Sequence, residues 1–285
     1  NTTGYLLKHI LCRKVSVAWA KICTITHFKR NKNKLWMHMK TKYKAYNHID
    51  SVSRIDAILS ESDSSFPKVD EIPSSDKLTY KNGFYVNCTS LFVDIRASSE
   101  LPSKHKRPTL AKIYRSYISE LVAIMNANIN CSEIRIDGDC VNGIYNTPKQ
   151  HQIDSVFSDA YTINSLIKIL NYKFKKKNIT EIDVGIGMDY GRALMIKSGF
   201  SGSGLNEVVW MGDVVNGASN LCGNANKGWG NEVIFVSDVI YSNLNKHNQG
   251  LLSKNYEHDC YHGNVINTPM EEWYDENCKD TSNGL

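Results

Sequence analysis

FYVNCTSLFVDI, residues 84–95, is the stretch on which the fold turns. It is long and mostly apolar, and it reads as one strand that carries an acid, Asp94, at its end. Downstream, RPTLAKIYRSYISELVAIM (107–125) sets Leu110, Ile113, Tyr117, Leu121 and Met125 on one helical face. SEIRI (132–136) and CVNGIY (140–145) then read as two short strands joined by DGD, a tight hairpin signal. A second amphipathic helix runs from Ile153 to Leu170, with the solvated KFKKKN (173–178) as its exit, and DVGIGMDYG (183–191) is a buried strand. Strand–helix–strand–strand–helix–strand is the order of the ferredoxin-like unit, so the pattern predicts an α+β fold.

Working outward, the 285 residues are 41% hydrophobic and 22% charged, enough to bury a core and too apolar for a disordered chain. The net charge of +5 hides a split. Residues 1–50 hold eleven basic residues against one acid, a net of +10, while residues 51–285 hold 23 against 28, a net of −5. A stable nucleic-acid partner for the acidic body is not expected, and the basic arm stays open.

In that arm Leu6, Leu7, Ile10, Leu11, Val15, Ala18, Trp19, Ile22 and Ile25 recur at helical spacing. Lys8, Arg13, Lys14 and Lys21 interrupt them, so the expectation is an amphipathic helix with neither a transmembrane run nor a signal peptide. The stretch Lys29–Lys44, with Leu35, Trp36, Met37 and Met39, reads as a membrane-surface or partner helix, or as a helix packed on its own domain or a dimer mate. The packed alternative is the one expected. Residues 60–82 are rich in Ser, Asp and Pro and read as a linker or a loose crossover.

The eight cysteines form no CxxC pair and meet no histidine at zinc spacing. Four N-x-S/T sequons start at Asn1, Asn87, Asn130 and Asn178, two of them beside the strands that carry the chemistry. A reduced cytoplasm fits better than a glycosylated, oxidised exterior.

The chemistry concentrates at Asp94 and at Asp139 in the hairpin. In a ferredoxin-like sheet the first two strands by sequence lie at or near each other's sides, so the two carboxylates can face one another and bind Mg²⁺ or Mn²⁺. Taken singly, Asp94 reads as a cap and Asp139 as a turn filler.

NEVVWMGDVVNGASNLC (206–222) adds a third block. With FVDI (92–95), R-x-x-G-D (135–139) and G-D-x-V-N-x-A-S (212–219) in that order, and VGIGMDYGRALMIKSGFSG (184–202) before the last, the sequence resembles the class III nucleotidyl cyclases over about residues 84–275. Charge and composition mark a 1–60 helical basic extension and a 61–82 linker, and the resemblance implies an 83–276 cyclase catalytic domain, with a 277–285 tail left over. It implies two divalent metal ions held by Asp94, Asp139 and the backbone carbonyl of Ile95. Phe92, Arg135 and Val209 would line the substrate pocket, and backbone N–H groups of Arg96, Ala97 and Ser98 would cradle phosphates. Asn216 would orient the ribose, and a head-to-tail homodimer would build two sites at its interface.

Two departures touch the base. Arg135 stands where purine cyclases carry Lys or Glu, and Val209 where adenylate cyclases carry Asp or Thr. Arg135 offers only donors, and Val209 accepts nothing from an exocyclic amine. That combination, with HGNVINTPMEEWY (262–274), resembles the Pycsar antiphage cyclases of bacteria, which make cyclic UMP or cyclic CMP for a separate effector protein. Uracil's O4 and O2 suit Arg135. Cytosine's amine needs an acceptor, which Asp137 supplies if it is not paired with Arg135. A purine cyclase with an altered pocket, and a non-catalytic nucleotide-binding homologue, remain as alternatives. The latter draws on Asn220, which stands where the family carries its transition-state arginine; Lys227, Arg192 and Lys197 are candidate substitutes. Trp273 is expected to anchor the final segment.

Overall fold

The structure, a computed structural model, describes residue 41 and residues 43–278. A helix, α1 (His48–Leu59), precedes β1 (Lys68–Val69) and β2 (Gly83–Ile95). A short α2 (Leu101–Lys104) leads into α3 (Arg107–Ala127), the hairpin β3 (Cys131–Asp137) and β4 (Cys140–Tyr145), and α4 (Gln150–Lys175). A second hairpin, β5 (Val184–Phe200) and β6 (Leu205–Met211), is followed by α5 (Asp213–Asn224), β7 (Ile234–Val236), α6 (Asp238–Asn243) and α7 (Lys246–Gly250). The described chain ends with β8 (Ser253–Asn255), β9 (Cys260–Gly263) and α8 (Thr268–Asn277).

The strands form one sheet in the order β3-β4-β2-β5-β7-β9-β8, with β1 beside β2 and β6 beside β5. Its first four strands have the ferredoxin-like order, as the α+β reading predicted. β4, not β3, is the neighbour of β2, so Asp139 approaches Asp94 from the start of β4. The hairpin closes with Asp137 opposite Cys140, leaving Gly138 and Asp139 as a two-residue loop. Gly138 has φ +64° at the first loop position, where a side chain would be strained and glycine is not.

Alternation along β2 sorts the faces. Leu91, Val93 and Ile95 are buried in the main core with Ile113, Tyr117, Leu121 and Met125 of α3 and Ile153, Phe157 and Ile163 of α4. The even residues Val86 and Cys88 face the other way, into a smaller core with Ile144, Ala193, Met195, Trp210 and Val214 of α5. Phe92 and Asp94 share that second face. Chemistry and main core therefore lie on opposite sides of one strand. β7 supplies Ile234, Phe235 and Val236, all fully buried.

Within residues 61–82, Lys68 and Val69 pair in parallel with Tyr85 and Val86, and Leu78 is buried. The predicted arm helix, Leu6 to Ile25, and most of the stretch Lys29–Lys44 lie outside the described residues; Tyr43 and Lys44 are not helical. Lys44 and Arg54 both sit over the Phe200 ring of the β5–β6 hairpin, at 5.3 and 5.0 Å from its centre. Trp273 is 43% exposed and lies under Lys173 Nζ of α4, 5.7 Å from its ring centre. Tyr274, edge-on to Tyr172, and the Lys168–Glu271 ion pair dock α8 beside it. Among the described residues the six cysteines are free and no helix is long and apolar enough to cross a membrane.

One acid sits within the fold. Asp159 of α4 is buried and accepts from Asn128 Nδ2 at 2.9 Å, yet desolvation pushes its pKa up from 3.8 to about 7. The folded chain therefore holds a proton that the unfolded chain releases between about pH 4 and 7. By linkage, this group's contribution is most favourable at low pH and is lost as pH rises through 7. Asp159→Asn mimics the neutral acid. Urea unfolding at pH 8 should show it more stable than the parent by roughly 2–4 kcal/mol, with the gap closing toward pH 5. An equal gap at both pH values would contradict the assignment.

Candidate active site

Asp94 stands one residue before the end of β2, opposite Gly185 of β5. Continuing the antiparallel register beyond Val93–Val141 brings the start of β4, and with it Asp139, alongside. Desolvation raises the Asp94 pKa first, and the neighbouring charge of Asp139 raises it further, while Arg96 and then Lys227 pull it down. Two carboxylates thus crowd one spot. Asp139 Oδ2 is buried with no hydrogen-bond partner, a costly state for an acid that has nothing to bind. No third acid, cysteine or histidine joins them in a cluster among the described residues. Two hard oxygen donors and one orphaned lone-pair set fit a divalent cation that completes its shell with a backbone carbonyl, water and phosphate.

Arg96 is the residue that sequence reasoning misjudged. Its backbone N–H donates to the Asp183 carbonyl at 2.7 Å, so it cannot cradle a phosphate as expected. The strand ladder continues one residue past Ile95 and consumes that donor. Its side chain, only 9% exposed, has the larger part. Nη2 donates to the Asp94 carboxylate at 3.1 Å and to the Asp94 carbonyl at 3.2 Å, while Nη1 donates to the Gly223 carbonyl at 3.1 Å. The guanidinium ties the carboxylate to the last turn of α5, where carbonyls lack helical partners and a cation is favoured. Ala97 then adopts a left-handed φ of 50° and opens the turn at Ser98.

α5 lies close on the sheet because Gly187 faces it. A Cβ there would stand 2.1 Å from the Cys222 nitrogen and 2.2 Å from the Ala218 oxygen, both backbone. Val214, Ala218 and Cys222 form the buried stripe of the helix, and Asn216, Ser219 and Asn220 are exposed on the other side. Asn216 lies six residues before Cys222, roughly 9 Å along the helix. Within one chain it faces solvent and does not join the aspartates.

Phe92, Asn142 and Arg135 stand opposite one another on β2, β4 and β3, and so share the face that carries Asp94. Arg135 Nε donates to Glu133 Oε1 at 2.7 Å, and Glu133 Oε2 accepts from Trp210 Nε1 at 2.9 Å. Nη2 of Arg135 is buried without a hydrogen-bond partner; Glu207 is 3.8 Å away, too far for one. Val209 is half-buried between Glu207 and Trp210 on β6. Asp137 is exposed at the hairpin end and is not paired with Arg135. Of the three substitute cations, Arg192 lies over Tyr85 and Lys197 over Tyr80, whereas Lys227 is within electrostatic reach of Asp94. Sequence spacing pointed to Arg135 and gave no sign of the Glu133–Trp210 contact behind it.

Comparison with known proteins agrees with this fold. Residues 81–268 match the adenylate and guanylate cyclase catalytic domain. A uridylate cyclase of Gulbenkiania mobilis is 38% identical over 258 residues, covering 84% of this chain and all of the relative. A uridylate cyclase of Treponema porcinum is 38% identical over 242 residues, covering 82% of this chain and 83% of the relative. The adenylyl cyclase CyaB of P. aeruginosa shares the fold, with a TM-score of 0.52 at 20% identity over 60% of this chain and 85% of that one. With paired aspartates on a ferredoxin-like sheet and a family match spanning more than half its length, the chain belongs to the adenylate and guanylate cyclase catalytic domains, the class III nucleotidyl cyclases.

Proposed function

We propose that the chain converts UTP to 3′,5′-cyclic UMP and pyrophosphate. The observation that carries the reading is Arg135, whose buried Nη2 is a donor without an acceptor; Val209, which the resemblance puts in the same pocket, accepts nothing. A base that presents carbonyl oxygens meets that need; adenine presents an amine instead. The uridylate cyclase relatives support the same choice.

Cyclases of this fold use divalent metal ions. Asp94, Asp139 and the Ile95 carbonyl would hold two, Mg²⁺ or Mn²⁺, which neutralise the triphosphate and acidify the ribose 3′-hydroxyl. Arg96 holds the Asp94 carboxylate in place, and the turn at Ala97 and Ser98 presents backbone N–H groups to the phosphates. Phe92 packs beside the sugar and base. Asn216, exposed on α5, orients the ribose from the second subunit of a head-to-tail homodimer, which also explains why one chain leaves it apart from the aspartates. Asn220 brings no cation to the pentavalent phosphorus, and of the three substitutes Lys227 is the one whose charge reaches Asp94. The resemblance to antiphage cyclases assigns the product to a separate cyclic-nucleotide-responsive effector in a bacterial cytoplasm.

A second reading, cytidylate cyclase, is favoured by Asp137, which is left free to accept an exocyclic amine. Incubation with ATP, GTP, CTP and UTP plus Mn²⁺, with products identified by mass, decides among them. Cyclic UMP is expected from UTP, and Arg135→Ala should erode the preference for UTP over the other three by roughly tenfold or more. Cyclic CMP as the main product would favour the second reading. A purine product, or nucleotide binding with no product, would overturn both.

A further inference from the structure

Nothing in the reaction requires Arg135 to be braced, yet it is. Glu133 and Arg135 stand two apart on β3 and so on one face. Glu133 spends one carboxylate oxygen on Arg135 Nε at 2.7 Å and the other on the Trp210 indole at 2.9 Å. Trp210 is 77 residues away in sequence, on a strand that is no neighbour of β3, and it is buried in the smaller core. A planar guanidinium tied through Nε has its plane, and so the position of both Nη groups, fixed by the tie. Here Nη2 is left buried and unpaired. Glu207, at 3.8 Å and more than half exposed, biases the guanidinium by charge without bonding it.

We propose that Trp210 and Glu133 are a specificity relay: the indole fixes the carboxylate, and the carboxylate fixes Arg135 as a donor. The relay therefore orients the donor for a keto base, where an amino base presents a donor of its own and gains nothing. Trp210 and Glu133 are positioning residues, and the inference rests on Arg135 reading the base.

Trp210→Phe keeps a buried ring and removes only the indole N–H. It should lower the ratio of kcat/KM for UTP to that for CTP by roughly tenfold, the size of one hydrogen-bond discrimination, with the UTP loss appearing in KM. Glu133→Gln should move the ratio in the same direction on a half-buried strand where folding is less at risk. A merely structural role would lower activity toward both nucleotides together and leave the ratio alone. If Arg135→Ala collapses the preference but neither relay variant changes it, the relay is wrong and the base-reading assignment stands. If Arg135→Ala also leaves the preference unchanged, the assignment itself falls and the relay with it.

Discussion

Asp139→Ala should abolish cyclic nucleotide formation, by roughly a thousandfold or more, without costing the protein stability. The loss follows from removing one of the two carboxylates proposed to hold the metal charge, which would supply several kcal/mol at the reacting phosphate. Stability should hold, or rise slightly, because Asp139 Oδ2 bonds to nothing and its charge opposes that of Asp94. The two readouts pull apart in a way that ordinary core mutations do not. Product formation at saturating Mn²⁺ and a melting curve on the same preparation measure both. Substantial turnover by the variant would remove Asp139 from the metal site. A large drop in melting temperature would show that the residue is structural.

Gly187→Ala should be severely damaging for so conservative a change. One methyl would enter between β5 and α5 at 2.1 and 2.2 Å from backbone atoms that have no rotamer to relax into. The helix must lift or the strand must bend, at an expected cost of roughly 3–5 kcal/mol. Lifting α5 also breaks the Arg96–Gly223 bond and frees the Asp94 carboxylate, so activity should fall further than stability explains. Urea unfolding beside turnover at a temperature where the variant is folded tests this. A variant as stable as its parent would mean that α5 does not sit as closely as described.

The fold was legible because its signals are local. β2 announces itself by a run of apolar residues, α3 by Ile113, Tyr117, Leu121 and Met125 at helical spacing, and the hairpin by its glycine. The two aspartates were legible because each lies at a strand end within one unit of known topology. What could not be read was who holds whom across the sheet. An arginine after a strand reads as a solvated charge, and only the close seat of α5 turns Arg96 into a buried clamp. Trp210 reads as core, which it is; its indole meets Glu133 through tertiary geometry that no spacing in the sequence encodes. Residues 60–82 lack periodicity because β1 is two residues long, too short to display any.

Arg96 carries one last consequence. A site built from two crowded acids would ordinarily depend on its ions for structural integrity, and a chain emerging into a metal-poor environment would fold poorly around it. Here a side chain acts as a resident counter-ion, bonded to one acid and to the end of the helix above it. The chain thereby supplies part of the charge balance of its own site, and any ion bound there shares Asp94 with a partner that is already fixed.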